Sequence, residues 1–189
     1  VKGVDNTRFS FGDFYIRRTR RLIPALLFVI TITYVGSFFI LAPKDFASLS
    51  GSVVYALSGI SNIFFWMQSD YFDNFSTLKP LLHTWSLSVE LQFYLLWPLY
   101  LIVLCRITKN IHFRAFAVFL FFIIFAFLAI FYISVDSSGA FYLTPFRMHE
   151  FAIGAIGVFI NNLFNGKRFN QALYVSGFFL VLYSIFSFD

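Results

Sequence analysis

The sequence predicts an all-α fold: a polytopic transmembrane helical bundle of about five or six membrane segments, forming one membrane domain over residues 1–189. Three observations carry that expectation. Hydrophobic residues make up 59% of the chain and charged residues 12%, against roughly 45–50% and 25% in soluble domains, so lipid is the solvent of much of the surface. Long uncharged runs recur along the chain. The charges gather in short clusters between those runs, which is the pattern of a membrane-oriented protein.

Taken in order, Leu22–Ala42 has 21 residues without a charge, and as a helix it reaches about 30 Å, enough to cross a bilayer. Pro24 falls in the first turn of that run, where proline costs least. Phe46–Met67 is uncharged but rich in Ser, Gly and Ala, so it spans, lies in the bundle interior or re-enters. Leu91–Cys105 becomes a span if its helix begins among the polar residues before it. Ala115–Val135 and Gln171–Phe188 are further spans. Phe151–Phe164 is marginal in length; its Gly154 and Gly157 let helices approach closely, although the spacing is not GxxxG.

Charge supplies the orientation. Residues 1–21 hold six basic and two acidic side chains and are expected in the cytoplasm. The other basic segments are the loop with Arg106, Lys109 and Arg114 and the loop with Lys167 and Arg168, whereas the stretches around Asp70/Asp73 and Asp136 are not basic. A full crossing by Phe46–Met67 would put the later basic loops outside by simple alternation. A re-entrant or partial segment puts all three basic clusters inside, and is preferred; residues 43–85 then face the extracytoplasmic side.

The net charge of +5 would also suit a nucleic-acid binder. Its distribution between apolar runs points instead to membrane orientation and the lipid bilayer, and no nucleic-acid partner is expected. Cys105, the single cysteine, excludes an internal disulfide and a multi-cysteine metal site. The polar, basic first 21 residues do not read as a cleavable signal peptide. A start at Val1 and a stop at Asp189, straight after an apolar run, read as a fragment or a shortened product.

The stretch SDYFDNFSTLKPLLHTWSLSVELQFYLLWP, residues 69–98, carries the main candidates. If the helix already includes His83, the offsets of 7 and 11 residues to Glu90 and Tyr94 keep all three within about 40° of one face. A titratable pair on one stripe at the membrane's edge suits proton transfer, so His83 and Glu90 are the catalytic candidates. The plainer alternatives are an interfacial His83 and a Glu90 paired with a basic residue of another helix. Trp85, Ser86 and Tyr94 are candidates for substrate contact; interfacial anchoring and packing explain the aromatics, with Trp97, equally well, and an N-cap role explains Ser86.

A second constellation is DFYIRRTRRLIP, with Arg17, Arg18, Arg20 and Arg21 immediately before a span. These residues serve orientation and anionic headgroups, or form a cytoplasmic cradle for a phosphate-bearing donor, since guanidinium forks fit phosphate oxygens. Asp13 stands four residues before Arg17, placed to hold one fork. Arg147, His149 and Glu150 form a third group beside Pro145, resembling a helix entrance. No P-loop, GxGxxG, HExxH or GxSxG occurs, so neither a permanently bound cofactor nor a metal is expected.

Three stretches, RFSFGDFYIRRTRRLIPAL, PLLHTWSLSVELQFYLLWPL and FYLTPFRMHEFAIGAI, resemble in that order segments of the membrane-bound acyltransferase family that includes O-antigen acetylases. The resemblance covers most of residues 8–160, and its most specific part is a histidine followed by WSLSVE and QFYLLWP. It implies an O-acyltransferase, multi-pass in the bacterial inner membrane, that takes acetyl groups from cytoplasmic acetyl-CoA as acyl donor. It passes them to hydroxyls of carbohydrates bound for the cell surface, such as the O-antigen of lipopolysaccharide. The arginines then correspond to a CoA phosphate site and His83–Glu90 to the acceptor side.

The chain also departs from the family pattern. The family carries further spans before the first matching segment, with a histidine usually assigned to catalysis, and further spans after the last. The family's double glutamate is here Glu90–Leu91. These departures imply either that a companion chain supplies the missing helices or that the chain is an inactive remnant or a non-enzymatic, transporter-like membrane subunit.

Overall fold

A computed structural model describes residues 10–69, 79–163 and 167–187, and every regular element among them is an α-helix. Helix α1, Phe11–Ile40, starts well before the uncharged run because Ser10 caps it. The Ser10 hydroxyl accepts the Asp13 N–H at 3.3 Å, and Asp13 sits in the first turn where the helix dipole favours a carboxylate. Pro24 is therefore an interior proline, not a first-turn one. It has no N–H to give the carbonyl four residues earlier, on Arg20, and so marks a soft point just inside the arginine cluster. No Asp13–Arg17 ion pair forms among the described residues; the local bond of Asp13 is its backbone one to Ser10.

After Leu41, α2 (Pro43–Leu57) opens on a proline at its first turn and α3 (Ser61–Met67) follows a break at Gly59. Gly59 has φ +70°, the left-handed region that a side chain disfavours, and a Cβ there would press on Leu91 at 3.4 Å. The uncharged stretch Phe46–Met67 is thus bent into helices of 15 and 7 residues. At 1.5 Å per residue both fall short of the roughly 30 Å hydrocarbon core. A single straight helical crossing by this stretch is therefore ruled out. Asp70 and Asp73 lie outside the described residues.

Helix α4, Thr84–Ile107, begins among the polar residues ahead of Leu91, as a span there requires. Ser86 is not its N-cap. His83 holds that position without a side-chain capping bond, and the Ser86 hydroxyl donates back to the His83 carbonyl at 3.0 Å. The turn at 81–83 explains the difference: the Thr84 and Trp85 N–H groups already bond the Leu81 and Leu82 carbonyls.

Helix α5 is Ile111–Ile133, capped by the Asn110 side chain. Helix α6 is Ser137–Tyr142, capped by Asp136. Helices α7 (Thr144–Leu163) and α8 (Lys167–Ser187) complete the described chain, and Phe188 of the last expected span lies outside it. Helices α1, α4 and α5 are long and apolar enough to cross a membrane, and Tyr174–Ser187 of α8 is a shorter apolar stretch. Large apolar side chains stay outward on these helices, among them Phe28, Phe39, Phe127, Phe131 and Phe179. In water such a surface would aggregate; in a multi-pass membrane protein it is the lipid face.

Packing gathers around α4. One apolar cluster joins Leu26 and Ile30 of α1 to Leu49 and Ala56 of α2 and to Leu81; another joins Leu104, Val118 and Phe159 of α4, α5 and α7. The most extensive pairing is α5 with α7. The Trp66 indole N–H donates to the Asp136 carboxylate at 2.8 Å, so the end of α3 meets the α5–α6 loop. Both belong to segments that the charge pattern places outside.

Arg114, by contrast, is not an exposed orientation charge. It is 3% exposed, its Nε donates to the Thr108 carbonyl at 2.8 Å and its Nη2 reaches the Cys105 carbonyl at 3.4 Å. A cation there answers the unsatisfied carbonyls at the end of α4.

Candidate functional site

Helix α4 carries two polar stripes that face different neighbours. Thr84, Ser88 and Gln92 recur every fourth residue and so share a face, which meets α3, α6 and the start of α7. Ser88 Oγ accepts the Ser61 backbone N–H at 3.1 Å and lies 2.8 Å from Ser61 Oγ, which also accepts from Thr84 Oγ1 at 3.1 Å. Gln92 Nε2 donates to the Gly59 carbonyl at 3.0 Å and to Asn62 Oδ1 at 2.9 Å. Asn62 Nδ2 donates to the Tyr142 carbonyl at 3.1 Å, and Thr144 Oγ1 donates to Gln92 Oε1. Ser61, Asn62, Thr84 and Ser88 are each at most 2% exposed. Donors and acceptors close on one another, which is how a buried polar cluster avoids the cost of unpaired groups.

The second stripe faces α1. There the Tyr94 hydroxyl donates to Glu90 Oε1 and accepts from Arg18 Nη1 at 3.4 Å. The Arg18 guanidinium lies 4.4 Å from the Tyr94 ring centroid and 5.6 Å from that of Phe14, so ring faces hold the cation from two sides. Phe14 meets Tyr94 edge-on at 6.3 Å, and the Tyr15 hydroxyl donates to the Leu95 carbonyl at 3.3 Å. Arg18, Tyr94 and Glu90 are all half-buried. A cation, a phenol and a carboxylate thus line up at the α1–α4 contact with hydrogen-bonding capacity left over. Arg18 has five N–H donors and spends one on Tyr94.

Position on α1 decides which arginine takes part. Arg18 and Arg21 follow Phe14 by one and two turns, which puts them on roughly one face of α1. Arg17, Arg20 and Arg21 are exposed. The structure therefore links Arg18 to the carboxylate through Tyr94, puts Arg21 on the same face of α1, and leaves Arg17 and Arg20 outside the array. One arginine of the cluster, Arg18, thus meets Glu90 through Tyr94, whereas the sequence reading places the arginines and Glu90 on separate sides.

His83 does not join them. It is exposed at the start of α4 and lies about 10 Å along the helix from Glu90. Trp85 turns to the opposite side of α4, 4.5 Å from Phe141 and 5.5 Å from Tyr142 between ring centroids, and Ser86 is exposed and bonded to its own helix.

Arg147 links that side together: its Nε donates to the Phe141 carbonyl at 3.0 Å, its Nη1 pairs with Glu150, and its guanidinium covers the Phe141 ring at 4.8 Å. Beside it, His149 Nδ1 is buried without a hydrogen-bond partner among the described residues. Trp97 stacks on Phe93 at 5.1 Å, a packing role.

Several residues that shape the site were not among the expected ones: Ser61, Asn62, Ser88, Gln92 and Thr144. The four-residue recurrence Thr84–Ser88–Gln92 was the available signal for two of the five, Ser88 and Gln92. Their partners on α3 and α7 have no local signature.

Comparison with known proteins follows the same residues. A family model described as acyltransferase domain matches residues 4–189. The chain is 30% identical to an uncharacterized protein of Haemophilus influenzae over 98% of its own length and 80% of the relative's. It is 38% identical to the peptidoglycan O-acetyltransferase OatA of Listeria monocytogenes over 56% of this chain and 17% of that protein. It is 34% identical to the O-acetyltransferase OatA of Staphylococcus aureus over 78% and 24% of the respective lengths. The chain therefore spans about a fifth of these named relatives. No solved structure gives a significant match.

Proposed function

The chain belongs to the acyltransferase family whose model covers it almost from end to end, and from that premise we propose that it forms part of an O-acetyltransferase. The proposed enzyme carries acetyl groups from acetyl-CoA to hydroxyls of a cell-envelope carbohydrate, in the bacterial inner membrane. The observation that carries the reading is the Arg18–Tyr94–Glu90 array. The guanidinium supplies fork-shaped donors for a phosphate-bearing donor, and Arg21 adds charge beside it. Glu90 supplies a carboxylate within reach of the same place, able to accept the acceptor hydroxyl's proton as that oxygen attacks the thioester carbonyl. The carbonyl carbon gains the sugar oxygen, and coenzyme A leaves with the sulfur and takes up a proton.

His83, exposed two turns from Glu90 at the expected outer end of α4, is assigned to the approach of the acceptor. Trp85 and Ser86 flank that end, and Tyr94 lies between donor cation and base. For the acceptor, the name of the Listeria relative makes peptidoglycan the first polymer to test, with lipopolysaccharide O-antigen beside it. Both offer sugar hydroxyls, which is the chemistry the site requires.

The test is transfer of labelled acetyl groups from acetyl-CoA to each polymer by membranes holding the full gene product. The reading expects transfer to one of them, abolished in Glu90→Gln with normal protein accumulation. Undiminished transfer in Glu90→Gln would remove Glu90 as the base, and donor-independent labelling would remove acetyl-CoA.

A further inference from the structure

We propose that Tyr94 is a positioning residue that holds Arg18 and Glu90 apart, so that the guanidinium stays available to a phosphate-type anion. The inference rests on the reading above only in taking the arginine face as an anion site; it concerns how that site is kept open.

The geometry is specific. Arg18 and Glu90 carry opposite charges at the same helix contact, yet they are joined through one hydroxyl and not directly. Tyr94 uses its single O–H on the carboxylate and a lone pair on the guanidinium, satisfying each charge partly. Its ring lies beneath the cation at 4.4 Å, with Phe14 on another side at 5.6 Å, which fixes where the fork points. In a partly dry environment opposite charges attract strongly and close up unless something occupies the gap. A closed Arg18–Glu90 pair would spend the fork on Glu90 and cancel the charge that draws an anion. It would also spend the carboxylate. Tyr94 prevents both losses with one side chain.

The placement of Tyr94 follows from the sequence. It stands four residues after Glu90, so its hydroxyl reaches back along α4 over the carboxylate. Its ring meets α1 where Phe14 and Arg18 share a face. A phenylalanine would keep the ring and the cation contact but lose both hydrogen bonds.

The experiment uses the full gene product in nanodiscs of phosphatidylethanolamine, with inorganic pyrophosphate as the probe and calorimetric titration as the readout. Tyr94→Phe is expected to weaken pyrophosphate binding about tenfold, and Tyr94→Phe combined with Glu90→Gln to restore it to within about twofold of the native protein. Rescue by removing a carboxylate is not something a purely structural role for Tyr94 would give. Should Tyr94→Phe not accumulate, Tyr94→Trp serves the same cycle, since indole cannot accept from Arg18. Unchanged binding in the single variant, failure of the double variant to recover, or absence of pyrophosphate binding to the native protein would each overturn the proposal. Absence of acetyl transfer by the native protein with the rescue pattern intact would instead count against the acetyl-CoA reading alone.

Discussion

The two polar faces of α4 are built from similar residues and put to different uses. Thr84, Ser88 and Gln92 look towards α3, α6 and α7 and end in a closed hydrogen-bond network, buried at Thr84 and Ser88 and half-buried at Gln92. Glu90 and Tyr94 look towards α1 and meet one arginine whose remaining donors are uncommitted. Inside a membrane an unpaired polar group is costly, so a closed network is what a stable bundle requires. An open array of charge is explained by what it is there to bind. The contrast teaches that the polarity of a helix face says less than whether its groups are satisfied.

The largest expected effect tests the open face. Glu90→Gln should lower acetyl transfer by on the order of 10²–10⁴, the usual worth of a general base, while thermal unfolding of the detergent-solubilised protein stays within the native range. A matching fall in stability would move Glu90 to the structural side.

The next breaks the closed face. Gln92→Leu strands Asn62 Oδ1, the Gly59 carbonyl and the Thr144 hydroxyl, at about 2–3 kcal/mol, seen as a lower unfolding midpoint in detergent. A near-native midpoint would show that the network rearranges freely.

A smaller loss is expected at α6, where Gly139→Ala would drive a Cβ into the Asp136 carboxylate and to 2.9 Å from Tyr132. Something must shift there, and a cost of about 1–2 kcal/mol together with weakened Trp66 packing, read from its fluorescence, is the expected result.

The smallest is Asp136→Asn, about 1 kcal/mol from losing the charge that strengthens the bonds from Gly139 and Trp66. The Gly139 N–H, and then the Trp66 indole, hold the Asp136 carboxyl below its ordinary range. Its contribution is therefore complete above the unfolded-state pKa and is lost as pH falls through the depressed folded value. Unfolding midpoints should fall less steeply with acid in Asp136→Asn than in the native protein below about pH 4.

Much of the fold was legible because lipid imposes long-range regularity on composition. The uncharged runs gave α1, α4, α5 and α8. Helix starts were less legible. Ser10 extended α1 back through the arginines and made Pro24 internal, and a backbone turn at 81–83 displaced Ser86 from the cap. At the site, helical spacing correctly put Glu90 and Tyr94 on one face. Their meeting with Arg18 depends on how α1 crosses α4, a tertiary fact that no local pattern encodes. Arg114 reads in sequence as one more cytoplasmic charge, and only packing shows it closing the end of α4.

The most direct test of the open face as the reactive one is the Michaelis constant for acetyl-CoA in Arg18→Ala set beside Arg20→Ala. Both variants remove one positive charge from the same cluster, but only Arg18 touches the Tyr94–Glu90 array. The account predicts a rise of about tenfold or more in Arg18→Ala, the worth of a charge-assisted contact, and a value near native in Arg20→Ala. Equal effects in the two would mean that the cluster acts as diffuse charge, and would contradict the assignment of the α1–α4 contact as the donor site.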